Sequence, residues 1–352
     1  MNKVLEQDIT KLISHKQYFE PFEDSSVLVT GATGLLGSVI IKSLLRYASA
    51  NGKKITVYAA CRSREKFEAV FAGYVGDCLV PLFSDICALD ISGLNAEYII
   101  HGASVTDSKT FVEKPVETID TALDGTRNLL CQCAGRSLKG FVYLSSLEVY
   151  GTFPGCEGVK NVKETDAGYI DTLSARASYS EGKRMAENIC AAYAKEYGVP
   201  VKIARLCQTF GAGVDYSDNR VFAQFARAVI EQKDIVLKTK GETVRNYCYT
   251  TDAAGGILSV LAKGKAGEAY NIANMQTTVS IADMAHLFCE LFPQSGSKVV
   301  FDIAEDAEKL GYNPVVKLQL DSSKAYALGW STEVSLTEMC MRLVDGMRES
   351  KK

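Results

Sequence analysis

The run Val27-Leu28-Val29-Thr30-Gly31-Ala32-Thr33-Gly34-Leu35-Leu36-Gly37 decides how this chain folds. A short aliphatic strand leads into three glycines spaced three apart, and the following residues, Leu36 to Ala50, carry the apolar spacing of an amphipathic helix. In such a strand-turn-helix, the first glycine permits the tight turn. The second lets the backbone approach a pyrophosphate, and the third lets helix and strand pack closely. Unpaired N–H groups at the helix start then hold phosphate oxygens. A plain βα turn would also tolerate glycines, but the position near the start of the fold favours a dinucleotide cradle built from Gly31, Thr33, Gly34, Leu35, Leu36 and Gly37.

Working outward, β-branched runs alternate with longer helical stretches: Ile55–Cys61, Cys78–Phe83, Ala96–Ser104, Phe141–Ser146 and Val201–Leu206, with helices at Val116–Ala134 and Tyr179–Tyr197 between them. Alternation of this kind predicts βαβ units, hence an α/β fold with a Rossmann-type doubly wound parallel sheet. A chain of 352 residues exceeds one comfortable core. We therefore expect a cofactor domain over 25–206 and a smaller C-terminal α/β substrate-binding domain over 207–352, partly interleaved with the first. Residues 1–24 read as an amphipathic helical extension, with Val4, Leu5, Ile9, Leu12 and Ile13 on one face, suited to packing or self-association.

Composition excludes several classes. A net charge of −3 without a basic run offers nucleic acid no electrostatic footprint. No stretch approaches about 18 uncharged apolar residues, and the first twenty carry Lys3, Glu6, Asp8 and Lys11, so neither a membrane span nor a signal core is expected. The eleven cysteines are scattered, Cys131 and Cys133 lack a second pair, and only His15, His101 and His286 are available. Buried free thiols in a reducing cytoplasm, with no metal, are the expectation.

After the second strand, where an acidic residue would bind a ribose 2′-hydroxyl, stand Arg62, Ser63 and Arg64. Guanidinium groups there suit a 2′-phosphate, which favours NADP over NAD; two solvated arginines are the alternative. Asp85 and Ile86 follow the third strand, where an adenine amino group or a simple turn would use the aspartate. Tyr179 has Lys183 four residues on, at the start of a helix and one crossover after Ser145-Ser146. That spacing puts both side chains on one face. An ammonium beside a phenol lowers its pKa toward working pH, and the hydroxyl of Ser146 can polarise the same substrate oxygen.

Taken in order, TGATGLLG, Asp85-Ile86, His101-Gly102-Ala103-Ser104, Ser145 to Gly151, Tyr179-Ser180-Glu181-Gly182-Lys183, Arg205 to Gly211, Arg245 to Tyr249 and Tyr270 to Asn274 resemble the extended short-chain dehydrogenases/reductases, specifically the nucleotide-sugar epimerase/dehydratase branch. The resemblance runs from Val27 to about Met347. It implies Ser146, Tyr179 and Lys183 as catalytic groups, with Tyr179 and Lys183 also touching the cofactor. Ala103 would lie along the cofactor, and Thr106, Glu148, Gln208 and Arg245 would contact substrate, Arg245 through its diphosphate. Departures narrow the chemistry. Leu147 and Glu148 stand where dehydratases carry an acidic pair, which argues against complete 4,6-dehydration. Lys317 to Leu320 precede Asp321 without the arginine usual in decarboxylases, which argues against decarboxylation. Gln208 and Ala212 replace an asparagine and a proline of the sugar pocket.

The expectation is an enzyme moving a hydride to or from a nucleotide-activated sugar, favoured as an NADPH-dependent reductase of a keto group in surface-polysaccharide synthesis. The alternatives are an epimerase or dehydratase with tightly bound NAD, and a catalytically idle NADP sensor, against which the retention of Tyr179 and Lys183 argues. The helices Val116–Ala134 and Tyr179–Tyr197 imply a homodimer by analogy.

Overall fold

The computed structural model describes residues 2–74, 76–303 and 315–351. Its first helix, α1 (Lys3–Ser14), buries Leu5, Ile9 and Leu12 as the periodicity predicts, and with them Asp8. That carboxylate accepts from the hydroxyl of Tyr249 and from Arg342 at 2.7 Å. The Asn2 amide donates to the carbonyls of Ala212 (2.7 Å) and Gly346 (3.0 Å), so the extension is tied to the C-terminal half of the chain. Packing, rather than self-association, occupies its apolar face.

The N-terminal half then runs β1 (Ser25–Thr30), α2 (Leu35–Asn51), β2 (Ile55–Cys61), α3 (Arg64–Val70), β3 (Leu79–Phe83), β4 (Tyr98–His101), α4 (Ser108–Glu113), α5 (Pro115–Cys133), β5 (Gly140–Ser146), β6 (Lys160–Val162), α6 (Ser178–Tyr197) and β7 (Val201–Leu206). Every residue of β1 is buried, as a strand covered on both faces requires. Gly52 and Gly198, at φ 64° and 67°, end α2 and α6 in the left-handed conformation that glycine adopts without strain.

The remainder comprises β8 (Gln208–Phe210), α7 (Val221–Glu231), β9 (Ile235–Leu237), β10 (Val244–Arg245), β11 (Tyr247–Tyr249), α8 (Thr250–Lys263), β12 (Ala269–Ile272), β13 (Val279–Ser280), α9 (Ile281–Leu291), β14 (Val299–Phe301), β15 (Leu318–Leu320), α10 (Ser323–Tyr326) and α11 (Leu336–Ser350). The main sheet has seven strands in the order β12-β7-β5-β4-β1-β2-β3, with parallel pairing throughout. Its last strand, β12, lies beyond residue 206, and α8 packs beneath it, so the interleaving reaches into the sheet itself. A second core gathers Phe210, Phe222, Phe225, Tyr247, Tyr249, Phe288 and Leu343 around paired strand fragments such as β8 with β11 and β9 with β14.

The strand order reverses between β1 and β4, which opens a crevice at the carboxyl ends of these two strands. Cys61, Cys133, Cys190, Cys207, Cys248 and Cys340 are buried as expected, whereas Cys87, Cys131 and Cys156 are exposed. No helix among the described residues is long and apolar enough to cross a membrane.

Candidate active site

A cleft of about 1430 Å³ opens at the crevice between β1 and β4 and extends to Tyr179 and Lys183. Pockets for one small ligand run to about 300–1,000 Å³, so there is room for a dinucleotide and a second ligand. The glycine turn forms one wall. Gly31 has φ 69°, and a Cβ there would lie 2.8 Å from the backbone of Gly102, the close approach that only glycine permits. Gly34 begins α2 without a side-chain cap, leaving the first N–H groups of the helix directed at the cleft for a phosphate. The Thr30 hydroxyl accepts from Gly102 and Ala103 N–H at 3.2 and 3.1 Å and pairs with His101 Nδ1 at 2.8 Å. Thr126 engages the other ring nitrogen at 3.1 Å, and burial pushes His101 down to about 3, so this histidine is a neutral strut. The residues present fit a pyrophosphate-linked dinucleotide.

Asp85, Ile86, Ala103 and Thr106 line the same cleft. The basic segment is divided. Arg62 lines the cleft, but Ser63 caps α3 by accepting from Lys66 N–H at 3.1 Å, and the Arg64 guanidinium lies 4.3 Å over the Phe83 ring. The expected pair of arginines for a 2′-phosphate is thereby reduced to one, because the helix that Ser63 starts carries Arg64 to Phe83.

Tyr179 and Lys183 occupy one face of α6, as their spacing required. The phenol stacks on Phe111 with ring centroids 4.3 Å apart and 12° between planes, and the Ser178 hydroxyl fastens α4 by donating to Phe111 O at 3.0 Å. Burial pushes the Tyr179 hydroxyl up to about 12, opposed by hydrogen bonding with Ser146 and by the charges of Arg176 and Arg220. Lys183 donates to Leu144 O at 2.7 Å, and burial lowers its ammonium to about 8. Burial is the largest influence on the free phenol, and Lys183 Nζ lies 5.8 Å from the Tyr179 ring centroid on the same helix face. Ser146 also accepts from Glu148 N–H at 3.2 Å, while Ser145 turns to Glu187.

On the substrate side, Arg245 and Glu148 pair with each other at 3.3 Å, both side chains being largely buried. Gln208 forms part of β8 opposite Tyr247, and it, Ser146, Glu148, Arg176 and Arg245 are not among the residues lining the large cleft. Two residues were missed. Arg176 lies one turn before Tyr179, its guanidinium 4.9 Å over Phe111 and within Coulombic reach of Glu148, Arg245 and Tyr179. Its spacing of three from Tyr179 was the available signal. Arg220, gripped by Asp218 at 2.6 Å, lines the cleft from a loop that no local pattern marked. The Nε atoms of Arg176 and Arg245 are buried without a hydrogen-bond partner among the described residues.

The profile of the NAD dependent epimerase/dehydratase family matches residues 27–273. The chain belongs to that family. UDP-glucuronic acid decarboxylase 1 of Xenopus tropicalis is 27% identical over 345 residues, covering 95% of this chain and 75% of that protein. UDP-N-acetyl-alpha-D-glucosaminuronate decarboxylase of Bacillus cytotoxicus is 28% identical over 305 residues, covering 84% and 89%. Among solved structures, UDP-glucuronic acid 4-epimerase from Bacillus cereus, in complex with UDP-glucuronic acid and NAD, superposes with a TM-score of 0.77 at 22% identity, covering 92% of this chain and 99% of that one. The family membership agrees with the ordered motifs. The fold agrees with the predicted Rossmann-type sheet.

Proposed function

We propose that this chain acts on a nucleotide-diphosphate sugar bearing an acidic group, oxidising a ring hydroxyl and re-reducing the sugar with NAD that stays bound, in the manner of an epimerase or decarboxylase. The observation that carries this reading is Tyr179, at the end of the cleft, within Coulombic reach of Arg176, which is itself within reach of Arg245, the Nε atoms of both arginines being buried without partners among the described residues. An anionic ligand would supply those partners, and guanidinium forks match carboxylate and phosphate oxygens. The names of the relatives point the same way, each being a protein of a UDP-linked sugar acid.

Bound at the glycine turn, NAD would accept and return the hydride. Tyr179 Oη would take the proton of the sugar hydroxyl and give it back, Ser146 would orient that hydroxyl, and Lys183 would supply the positive charge that stabilises the phenolate. Oxidation next to the carbon bearing a carboxylate creates a β-keto acid, which loses carbon dioxide readily. Inversion at the keto carbon needs no such loss. Glu148, displaced from Arg245 by substrate, would serve as the base or hold a sugar hydroxyl. The missing arginine before Asp321 favours inversion, while the sequence relatives favour decarboxylation.

The NADPH-dependent reductase is the second reading, and Arg62 at the cleft is the observation that favours it. The experiment is to denature the purified protein, identify the released nicotinamide nucleotide, and follow UDP-glucuronic acid by proton NMR. Retained NAD with a new anomeric signal or released carbon dioxide supports the proposal. Empty protein that consumes NADPH stoichiometrically with a keto-sugar nucleotide supports the reductase.

The chain acts in the cytoplasm as a homodimer in this reading. Val116 and Ile119 of α5 and Met185 of α6 are 65%, 36% and 51% exposed on two helices that pack side by side, an apolar face suited to a second copy.

A further inference from the structure

Glu187 takes no part in the chemistry described above, yet it is buried one turn beyond Lys183 on α6. Its carboxylate accepts from Ser145 Oγ at 2.5 Å and from Arg205, through Nε at 3.0 Å and Nη2 at 2.7 Å. Arg205 also donates to Tyr150 Oη and to the Glu164 carbonyl, both at 2.9 Å, and Tyr150 donates its own proton to Asn271 at 2.6 Å. Ser145 precedes the catalytic Ser146, and Leu144, whose carbonyl holds Lys183, precedes Ser145. One carboxylate thus grips the strand and the helix that carry all three catalytic groups.

The surroundings of Lys183 make that carboxylate electrostatically distinctive. From β4, His101 is held neutral by burial. From β5, Tyr143 offers its ring face 4.6 Å from Nζ, and burial keeps its hydroxyl protonated. From α6, Tyr179 and Cys190 are likewise pushed upward by burial into their neutral forms. Arg205, from β7, is paired with Glu187 at 2.7 Å. Glu187 is the anion in this set, and its charge is the largest influence opposing the burial of Lys183.

We propose that Glu187 is a positioning residue that keeps Lys183 in its ammonium form beneath Tyr179, with Arg205 and Ser145 fixing its carboxylate. The proposal rests on the assignment of Lys183 to the catalytic group. Burying an amine favours its neutral form, and a nearby opposite charge restores the cation. A Lys183 that loses its proton cannot stabilise a phenolate, so Glu187 sets the upper pH limit of the chemistry without touching substrate.

The test titrates Lys183 directly, independently of turnover. Protein labelled with 13C at lysine Cε is followed by NMR between pH 6 and 10, with the Lys183 signal assigned by its absence in Lys183→Met. Glu187→Gln, which keeps the shape and removes the charge, is expected to lower the Lys183 midpoint by about one unit or more. Near pH 8 that is roughly a fivefold loss of ammonium. Ser145→Ala removes a hydrogen bond and no charge, and should leave the midpoint in place. Arg205→Gln removes the opposing charge and should raise it, which serves if Glu187→Gln fails to fold. An unchanged midpoint in Glu187→Gln, an equal fall in Ser145→Ala, or no rise in Arg205→Gln would overturn the proposal. A lowered midpoint with no accompanying change in the pH dependence of sugar-nucleotide turnover would instead count against the catalytic assignment of Lys183.

Discussion

Replacing Arg176 with methionine should move stability and ligand affinity in opposite directions. Arg176 is half-buried over Phe111, its Nε atom is buried and unpartnered among the described residues, and burial lowers its pKa against the help of Glu148. An unpaired buried polar group costs about 1–3 kcal/mol. Removing the cation–π attraction to Phe111 offsets roughly 0.5–1 kcal/mol of that relief. Arg176→Met should therefore be more stable than the wild type by about 1 kcal/mol, a rise of a few degrees in Tm. The same change deletes a charge-assisted bond to an acidic sugar, worth about 1.5–3 kcal/mol, which weakens binding roughly 10-fold to 150-fold. The assay is isothermal titration with UDP-glucuronic acid and UDP-glucose, beside denaturant unfolding of both proteins. A loss confined to the glucuronic acid compound is expected. A variant that is less stable and binds both ligands as the wild type does would refute the reasoning.

Gly31→Ala should abolish NAD retention in a folded protein: the left-handed backbone alone costs about 1–2 kcal/mol, and the new methyl would press on Gly102. Cofactor content of the purified variant checks this. Tyr179→Phe should keep the cofactor and lose about 10²–10⁴ in turnover, read by NMR of the sugar nucleotide. Burial raises Asp252 from 3.8 to about 6 although Glu333 and Val334 N–H groups donate to it. Because the folded pKa lies above the unfolded value, its stabilising contribution is full below about pH 4 and is lost as pH rises through about 6. Asp252→Asn should remove that decline and be more stable than the wild type above pH 6 by on the order of 2–3 kcal/mol, measured by urea unfolding across pH 4–8. Met185→Glu should convert the proposed dimer to monomers in light scattering, since a charge would be buried in the apolar face of α5 and α6.

The cofactor half was legible because its determinants are local. The glycine turn, the first residues of α2 and the Tyr179–Lys183 pair each lie within a dozen residues, and their periodicity specifies strand, helix and face. What escaped depends on partners far apart in the chain. Glu148 meets Arg245 across 97 positions, so sequence could suggest each as a ligand contact and not that they neutralise one another. Asp8 reads as the polar side of an amphipathic helix, yet Tyr249 and Arg342 draw it inward. Arg64 looked like a phosphate clamp until Ser63 began α3 and carried it to Phe83. β12 completes the sheet from the half assigned to substrate, because registration against Ile203 to Leu206 is a property of the assembled sheet. Arg176 was within reach of local reasoning, since three residues before a helical tyrosine lies on the same face.

Under the proposed function a retained NAD cycles while Tyr179 moves the sugar proton, and that cycle would leave a direct optical trace. The most direct measurement is absorbance near 340 nm on mixing the purified protein with UDP-glucuronic acid and no added nucleotide. The expected result is a rise on the first turnover that decays as product forms, present in the wild type and absent in Tyr179→Phe. Protein without bound nicotinamide, or turnover that requires and consumes added NADPH, would contradict it.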